Sequence, residues 1–272
     1  MKIAYLGQPG SYNYAASKQY LKKGEHIGFP TFRLLFEELR ADTVDLLVVP
    51  VENNHTGSFY ENYDLLHEFA FPILAELYVP ITHAVLAKPG TKIDEILVMY
   101  AHPQALAQCQ KFFHKYPLIK AELTSDTAKA AKLVAQNSLN VVGAIGTAEA
   151  AEIHNLSILQ TQIEDNKRSS TRFFVVGKKA VFKRVNKCSV VFMVAHTPGS
   201  LARAIDACAR CGVNLTKIES RPIPGTLFEY LFYLDFEGTK RQIESTCDIL
   251  KGLTKKLAVF GMYESAQILK KK

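Results

Sequence analysis

Between residues 1 and 177 short apolar runs alternate with stretches of helical spacing, and this alternation constrains the fold more than any other feature of the chain. Strands are expected at 2–6, 45–51, 73–86, 96–100, 119–123, 141–145 and 172–177, and helices at 11–21, 31–40, 58–69, 103–116, 127–135 and 147–153. That order calls for an α/β architecture with largely parallel sheets. The apolar segment 75–87, interrupted by Pro80, is long enough to cross between two lobes, and a second crossing near 159–163 would return the chain. Two lobes joined by two crossings enclose a cleft, the usual seat of a small-molecule site.

After residue 187 the pattern changes. A strand at 188–195, a helix at 199–211, strands at 213–222 and 227–237 around a Pro224-Gly225 turn signal, a helix at 242–253 and a strand at 256–261 follow the split βαβ, or ferredoxin-like, plan. The expected organisation is a two-lobed domain over 1–178, a charged linker over 179–186 and a second domain over 187–272. Almost none of the chain's candidate catalytic residues fall in the second domain, which points to regulation or assembly.

Composition narrows the function classes. With 48% apolar and 22% charged residues the chain has ordinary globular usage, and no apolar run reaches membrane-spanning length. The net charge of +7 is spread out; Lys270-Lys271-Lys272 is the one basic run, so a general preference for anions fits better than nucleic acid, with solubility an equal explanation. The N-terminal apolar run stops too early for a signal peptide. The five cysteines are scattered, and Cys208-Ala-Arg-Cys211 lies within a helical pattern with no second pair, which argues against a zinc or redox site. A cytoplasmic location with reduced thiols is expected.

Four segments carry polar chemistry, each at a strand end. Pro50-Val51-Glu52-Asn53-Asn54-His55-Thr56-Gly57-Ser58 follows a buried strand and precedes a helix, where free N–H groups face anions. A capped structural loop is the simpler reading of this segment alone. Gly7-Gln8-Pro9-Gly10-Ser11-Tyr12 opens the first helix, with Ser11 able to cap it or to donate to a carboxylate; the third glycine of a dinucleotide fingerprint is missing. In His102-Pro103-Gln104-Ala105-Leu106-Ala107-Gln108-Cys109 the two glutamines share one helical face, and neutral amides suit a polyol or carboxylate rather than a metal. His102 is a candidate acid or a structural hydrogen bonder. Thr171-Arg172-Phe173 opens the last strand of the first domain, with Arg172 a candidate carboxylate clamp and Phe173 a candidate ring cover, or simply a good strand start.

The order of these segments resembles the prephenate dehydratases that carry a C-terminal ACT domain, and the resemblance covers nearly the whole chain. The ACT pattern is matched at Pro198-Gly199-Ser200-Leu201 and at Gly212-Val213-Asn214-Leu215-Thr216-Lys217-Ile218-Glu219-Ser220-Arg221-Pro222. The resemblance implies a periplasmic-binding-protein-like catalytic domain and conversion of prephenate to phenylpyruvate, water and carbon dioxide in phenylalanine synthesis, without metal or other cofactor. It makes Thr171 the catalytic hydroxyl, oriented by Glu52 and Asn53. Ser11, Asn54, Gly57, Ser58, Gln104, Gln108, Arg172 and Phe173 become substrate-binding residues. It further implies inhibition by L-phenylalanine, bound between two ACT domains of a homodimer or homotetramer at Gly199, Ser200, Leu201, Asn214, Leu215, Thr216, Ile218 and Glu219.

Two positions depart from the family pattern: Asn54 stands where serine is usual and Ser169 where asparagine is usual. Both bear on the choice of substrate, so arogenate, with an amino-acid side arm, is the alternative. The chain opens directly on the first strand with no chorismate mutase segment, which reads as monofunctional. The rival from another class is a two-lobed sensor that binds without turnover and has no need of Thr171.

Overall fold

The computed structural model describes residues 1–179, 184–223, 225–226 and 229–266. Most of the expected linker core, Pro224 of the turn signal, the start of the strand expected at 227 and the basic tail fall outside the described residues. In chain order the elements are β1 (Lys2–Leu6), α1 (Tyr12–Tyr20), β2 (Glu25–Phe29), α2 (Phe32–Arg40), β3 (Leu46–Asn53), β4 (Gly57–Ser58), α3 (Tyr60–Phe69), β5 (Ile73–Pro80) and β6 (Ala84–Ala87). There follow β7 (Val98–Ala101), α4 (Pro103–Gln108), α5 (Gln110–Lys115), β8 (Lys120–Leu123), α6 (Thr127–Gln136), β9 (Val142–Gly146), α7 (Ala148–Ile153), β10 (Ser157–Thr161) and β11 (Ser170–Gly177). The remainder are β12 (Lys187–Met193), α8 (Ser200–Arg210), β13 (Asn214–Pro222), β14 (Tyr230–Glu237), α9 (Lys240–Leu253) and β15 (Lys256–Tyr263).

The chain divides into two compact units: Met1–Phe59 with Tyr78–Phe173, and Tyr60–Leu77 with Phe174–Lys272. The first unit holds two lobes. One is built on a sheet of order β2-β1-β3-β11-β5, with β4 paired to β3 and the unit boundary running through β5 and β11. β1 pairs in parallel with β2 and β3, and α1 and α2 pack on these strands. The edge strand β2 has no clear apolar alternation in the sequence. It lies against β1 because Gly28 has no side chain: a Cβ there would sit 2.1 Å from the Gly7 carbonyl oxygen.

The other lobe is a sheet of order β10-β6-β9-β7-β8. It is mixed rather than parallel: β7, β8 and β9 run together, while β6 is antiparallel to both β9 and β10. β6 and β10, antiparallel to each other, overlap the segments 75–87 and 159–163 where the crossings are expected. Strand alternation splits β6 between two cores. Val85 and Ala87 pack with Ala105, Cys109 and Phe112 of the α4–α5 region, while Ala84 and Leu86 pack with Ala130, Val134, Ala150 and Ala151 of α6 and α7. A sheet covered on both faces explains why these strands read as continuous apolar runs.

The helix expected over 103–116 is two helices. The Asp165 carboxylate accepts from the backbone N–H groups of Gln110 and Lys111 at 2.9 and 3.1 Å, capping a fresh helix start after Cys109.

The second unit has the sheet order β13-β14-β12-β15, all antiparallel where paired, with α8 and α9, which is the ferredoxin-like arrangement. Cys188, Val190 and Phe192 of β12 face the helices and pack with Ala204, Cys208, Ile243 and Leu250. The opposite face explains why the unit does not begin at residue 187. Tyr63 of α3 packs its ring 5.0 Å from that of Tyr233, and Asp64 pairs with Arg221 at 2.5 Å. Glu76 of β5, fully buried, pairs with Lys187 at 3.0 Å and accepts the Ala266 N–H at 3.1 Å. The sequence stretch 60–77 thus belongs by its contacts with the C-terminal sheet. No described helix is long and apolar enough to cross a membrane.

Removing one member of a buried ion pair strands the other charge. Lys187→Met is expected to lower the unfolding free energy in urea by about 3 kcal/mol, and the double change with Glu76→Leu to recover most of it. A Lys187→Met loss below about 0.5 kcal/mol would show that the pair is not buried in solution.

Candidate active site

A cavity of about 310 Å³ lies within the first unit. Six of the expected site residues line it: Ser11, Asn53, Gln104, Gln108, Thr171 and Phe173. Adjacent residues at the facing ends of two neighbouring strands part ways here. On β11, Thr171 and Phe173 reach the cavity and Arg172 does not; on β3, Asn53 reaches it and Glu52 does not. Arg172, almost wholly buried, stands 3.7 Å from the Glu52 carboxylate. Glu52 and Arg172 are therefore partnered with each other, and neither is among the residues that line the cavity.

Asn53 is held at both ends of its amide. Its Oδ1 accepts the backbone N–H groups of His55 and Thr56 at 2.9 and 3.0 Å, closing the turn between β3 and β4. That fixes the amide orientation, leaving Nδ2 to donate to Thr171 Oγ1 at 2.9 Å and to the Ser170 carbonyl at 3.3 Å. Thr171 is 6% exposed, so this bond works at low dielectric. With its oxygen accepting from Asn53, the Thr171 hydroxyl keeps its proton for a group in the cavity.

Asn54 and the Gly57-Ser58 pair do not line the cavity. The Asn54 side chain donates to the Arg168 carbonyl at 2.7 Å and accepts the Ser170 N–H at 3.0 Å. Its role is to clamp the start of β11 beside the end of β3, so the serine-to-asparagine departure touches the frame and not the lining. Gly57 and Ser58 pair with Asn53 and Glu52 in a short hairpin, and the next helix begins only at Tyr60. The second departure, Ser169, is buried with its hydroxyl unpartnered.

Anion-binding capacity comes from elsewhere. The first residues of α1 (Ser11, Tyr12, Asn13) and the start of α6 (Ser125, Asp126, Thr127) both border the cavity. Ser11 and Asp126 cap their helices by accepting from Tyr14 and Lys129 at 3.2 and 2.7 Å; the remaining first-turn N–H groups of α1 supply positive potential, while at α6 the Asp126 carboxylate offsets it. Gly10, at φ +89°, lets the loop before α1 touch α7: a Cβ would meet Ala150 Cα at 2.9 Å, and Thr147 Oγ1 donates to the Gly10 carbonyl at 2.7 Å. The two lobes meet here, at the rim of the cavity.

His102 Nδ1 accepts the Gln104 N–H at 3.2 Å as the cap of α4, and burial holds its pKa below the usual histidine value. Neutral with Nδ1 accepting, it carries its proton on Nε2. The sequence reading missed Tyr12 and His83 in the lining. Tyr12 lay inside a motif already explained as a helix start, and His83 had no motif at all.

In the second unit, Ser200 and Leu201 line a separate cavity of about 400 Å³ together with His196, Thr197, Tyr230 and Phe232. Gly199, at φ +79°, starts α8 beside it. Asn214, Leu215, Thr216, Ile218 and Glu219 lie along β13, the edge strand of that sheet, and do not line this cavity. The expected effector residues thus form two groups within one chain.

These features define a two-lobed α/β protein whose cavity joins a polarised hydroxyl, neutral amides and helix N-termini. A family model for prephenate dehydratase matches residues 3–181, so the chain belongs to the prephenate dehydratase family and is a lyase of the dehydratase type. It is 34% identical over 284 residues to arogenate dehydratase 2 of Petunia hybrida, covering 97% of this chain and 72% of that protein. Across several such curated relatives the chain spans from 65% to 72% of their length. Among solved structures it is similar to the prephenate dehydratase from Arthrobacter aurescens in complex with L-Phe, with TM-score 0.89, 28% identity, and coverage of 100% of this chain and 91% of that one. It is also similar to GqqA, described as a novel type of quorum quenching acylase, with TM-score 0.89, 26% identity and full coverage of both chains.

Asn53→Ala is expected to reduce kcat about 100-fold, because the donor that polarises the hydroxyl is lost in a dry site. Glu52→Gln is expected to lower stability by leaving the buried Arg172 without its carboxylate, and to change kcat less than Asn53→Ala does, because neither Glu52 nor Arg172 lines the cavity. Steady-state assays decide: the reverse ranking of these two variants would contradict the assignment of faces.

Proposed function

We propose that the protein is a prephenate dehydratase: prephenate loses its ring hydroxyl and ring carboxylate together, giving phenylpyruvate, water and carbon dioxide. The electron pair of the breaking carbon–carboxylate bond enters the ring as the carbon–oxygen bond breaks, and the ring becomes aromatic. Overall the prephenate dianion takes up one proton, which leaves in the water, and solvent restores it. The observation that carries this reading is the Asn53-to-Thr171 hydrogen bond in the cavity wall. It leaves the Thr171 proton for the departing hydroxyl, a general-acid contact that a pure binding protein does not need. The N-terminus of α1 and the Gln104 and Gln108 amides receive the two carboxylates, and Phe173 covers the ring. Arogenate is the second reading, favoured by the relative from Petunia hybrida named for that substrate.

The C-terminal unit is read as an ACT domain that binds L-phenylalanine and dimerises the chain, with residues 1–178 as the catalytic domain and 187–272 as the regulatory one. Support comes from the cavity at Ser200 and Leu201, whose walls include Tyr230 and Phe232, and from the Arthrobacter aurescens relative, whose structure holds L-Phe. The exposed edge of β13 suits pairing with a second copy, which would bring residues 214–219 of one protomer to the effector site of its partner.

Purified protein supplied with prephenate is expected to form phenylpyruvate, followed by absorbance in alkali, and Thr171→Ala to lower kcat by roughly 10²- to 10⁴-fold while substrate still binds. Absence of product from both prephenate and arogenate would end the dehydratase reading in favour of the sensor. L-phenylalanine is expected to suppress turnover, and Leu201→Asp to raise the half-inhibiting concentration at least about tenfold by placing a charge in an apolar wall. Unchanged inhibition in that variant would remove the effector assignment.

A further inference from the structure

The dehydration chemistry above uses Gln108 but leaves unused two further cavity-lining side chains, Tyr12 and His83, that form a hydrogen-bonded chain with it. Tyr12 Oη, at the start of α1, lies 2.8 Å from the Thr82 carbonyl and 3.0 Å from His83 Nδ1. His83 Nε2 lies 2.9 Å from Gln108 Oε1 on α4. The histidine is only 2% exposed, its backbone N–H donates to the Glu164 carboxylate at 2.8 Å, and the Tyr12 ring packs edge-on against it with centroids 5.6 Å apart.

Donor and acceptor chemistry fixes the direction of this chain. A carbonyl oxygen can only accept, so the bond to Gln108 Oε1 requires the proton on His83 Nε2. Burial lowers the tendency of the ring to charge, and a neutral imidazole has one proton, so Nδ1 is the bare nitrogen facing the Tyr12 hydroxyl. The Tyr12 hydroxyl donates to the Thr82 carbonyl at 2.8 Å, with Nδ1 3.0 Å from the Tyr12 oxygen. With the carbonyl end of the Gln108 amide held by the ring, the N–H₂ end is the part of this cavity-lining side chain left to a ligand.

We infer that His83 is a positioning residue that sets substrate choice: by holding Gln108 with its amide N–H groups toward the ligand, it selects a side arm bearing a carbonyl oxygen over one bearing an ammonium. The inference rests on the dehydratase reading and names the side arm that the substrate carries, an α-keto acid rather than an α-amino acid. An ammonium placed against amide N–H groups would find donors where it needs acceptors.

The test is the ratio of kcat/KM for prephenate to that for arogenate. Wild-type protein is expected to favour prephenate. In His83→Leu the Gln108 amide is free to turn, and the ratio should fall about tenfold, the scale of one mismatched buried polar group. Tyr12→Phe, a milder change that removes the hydroxyl on Nδ1, should shift the ratio the same way by less. Gln108→Glu, which offers only acceptors, should move it furthest toward arogenate. General damage to the fold lowers both values and leaves the ratio in place, so a purely structural role is excluded by the readout. An unchanged ratio in both His83→Leu and Tyr12→Phe overturns the inference alone; a wild-type preference for arogenate overturns the inference and moves the proposed function to its arogenate reading. Failure of wild-type protein with both substrates overturns the dehydratase reading, and the inference falls with it. If His83→Leu does not fold, Tyr12→Phe decides.

Discussion

The hydrogen bond from Asn53 Nδ2 to Thr171 Oγ1, 2.9 Å long, is the contact on which the site depends. A threonine hydroxyl is a poor acid in water and helps a leaving group only where its surroundings are dry and its oxygen is already engaged. The fold supplies both conditions. β3 and β11 are neighbours in one sheet, both residues are nearly buried, and the β3–β4 turn locks the amide by filling its oxygen with two backbone donors. Asn54 holds the same two strand ends together from the next position along.

Strand periodicity separates residues that a motif places side by side. Glu52-Asn53 and Thr171-Arg172 look like two adjacent pairs of functional groups, yet alternate residues point to opposite faces. The sheet places Asn53 with Thr171 in the cavity wall and leaves Glu52 to Arg172. The charged pair then links the same two strands that carry the neutral pair. A cavity wall with neither Lys nor Arg among its described lining residues has the N-terminus of α1 as its source of positive potential, since Asp126 sits at the start of α6.

Much of the architecture was legible from local pattern: the α/β alternation, the crossing near Pro80 and the βαββαβ order of the C-terminal sheet each rest on periodicity within a few residues. Elements that depend on distant partners were not. β2 is an edge strand held by the missing side chain of Gly28, and the break between α4 and α5 is set by Asp165, some fifty residues on. The assignment of 60–77 to the second unit likewise depends on Glu76 meeting Lys187 and Tyr63 meeting Tyr233. Among the cavity-lining residues, Thr171, Asn53, Gln108 and Ser11 were readable as candidates because each sits in a motif, and resemblance to a family ranked them. His83 was not readable, since only the fold brings residues 12, 83 and 108 together.

The central claim is that Asn53 acts on the reaction through Thr171 and by no other route. A double-mutant cycle on kcat with prephenate, using Asn53→Ala, Thr171→Ala and both together, measures this coupling directly. If Asn53 works through the hydroxyl, the double variant is no slower than Thr171→Ala alone. Losses that multiply in the double variant would mean that Asn53 and Thr171 serve the reaction independently, and would contradict the account.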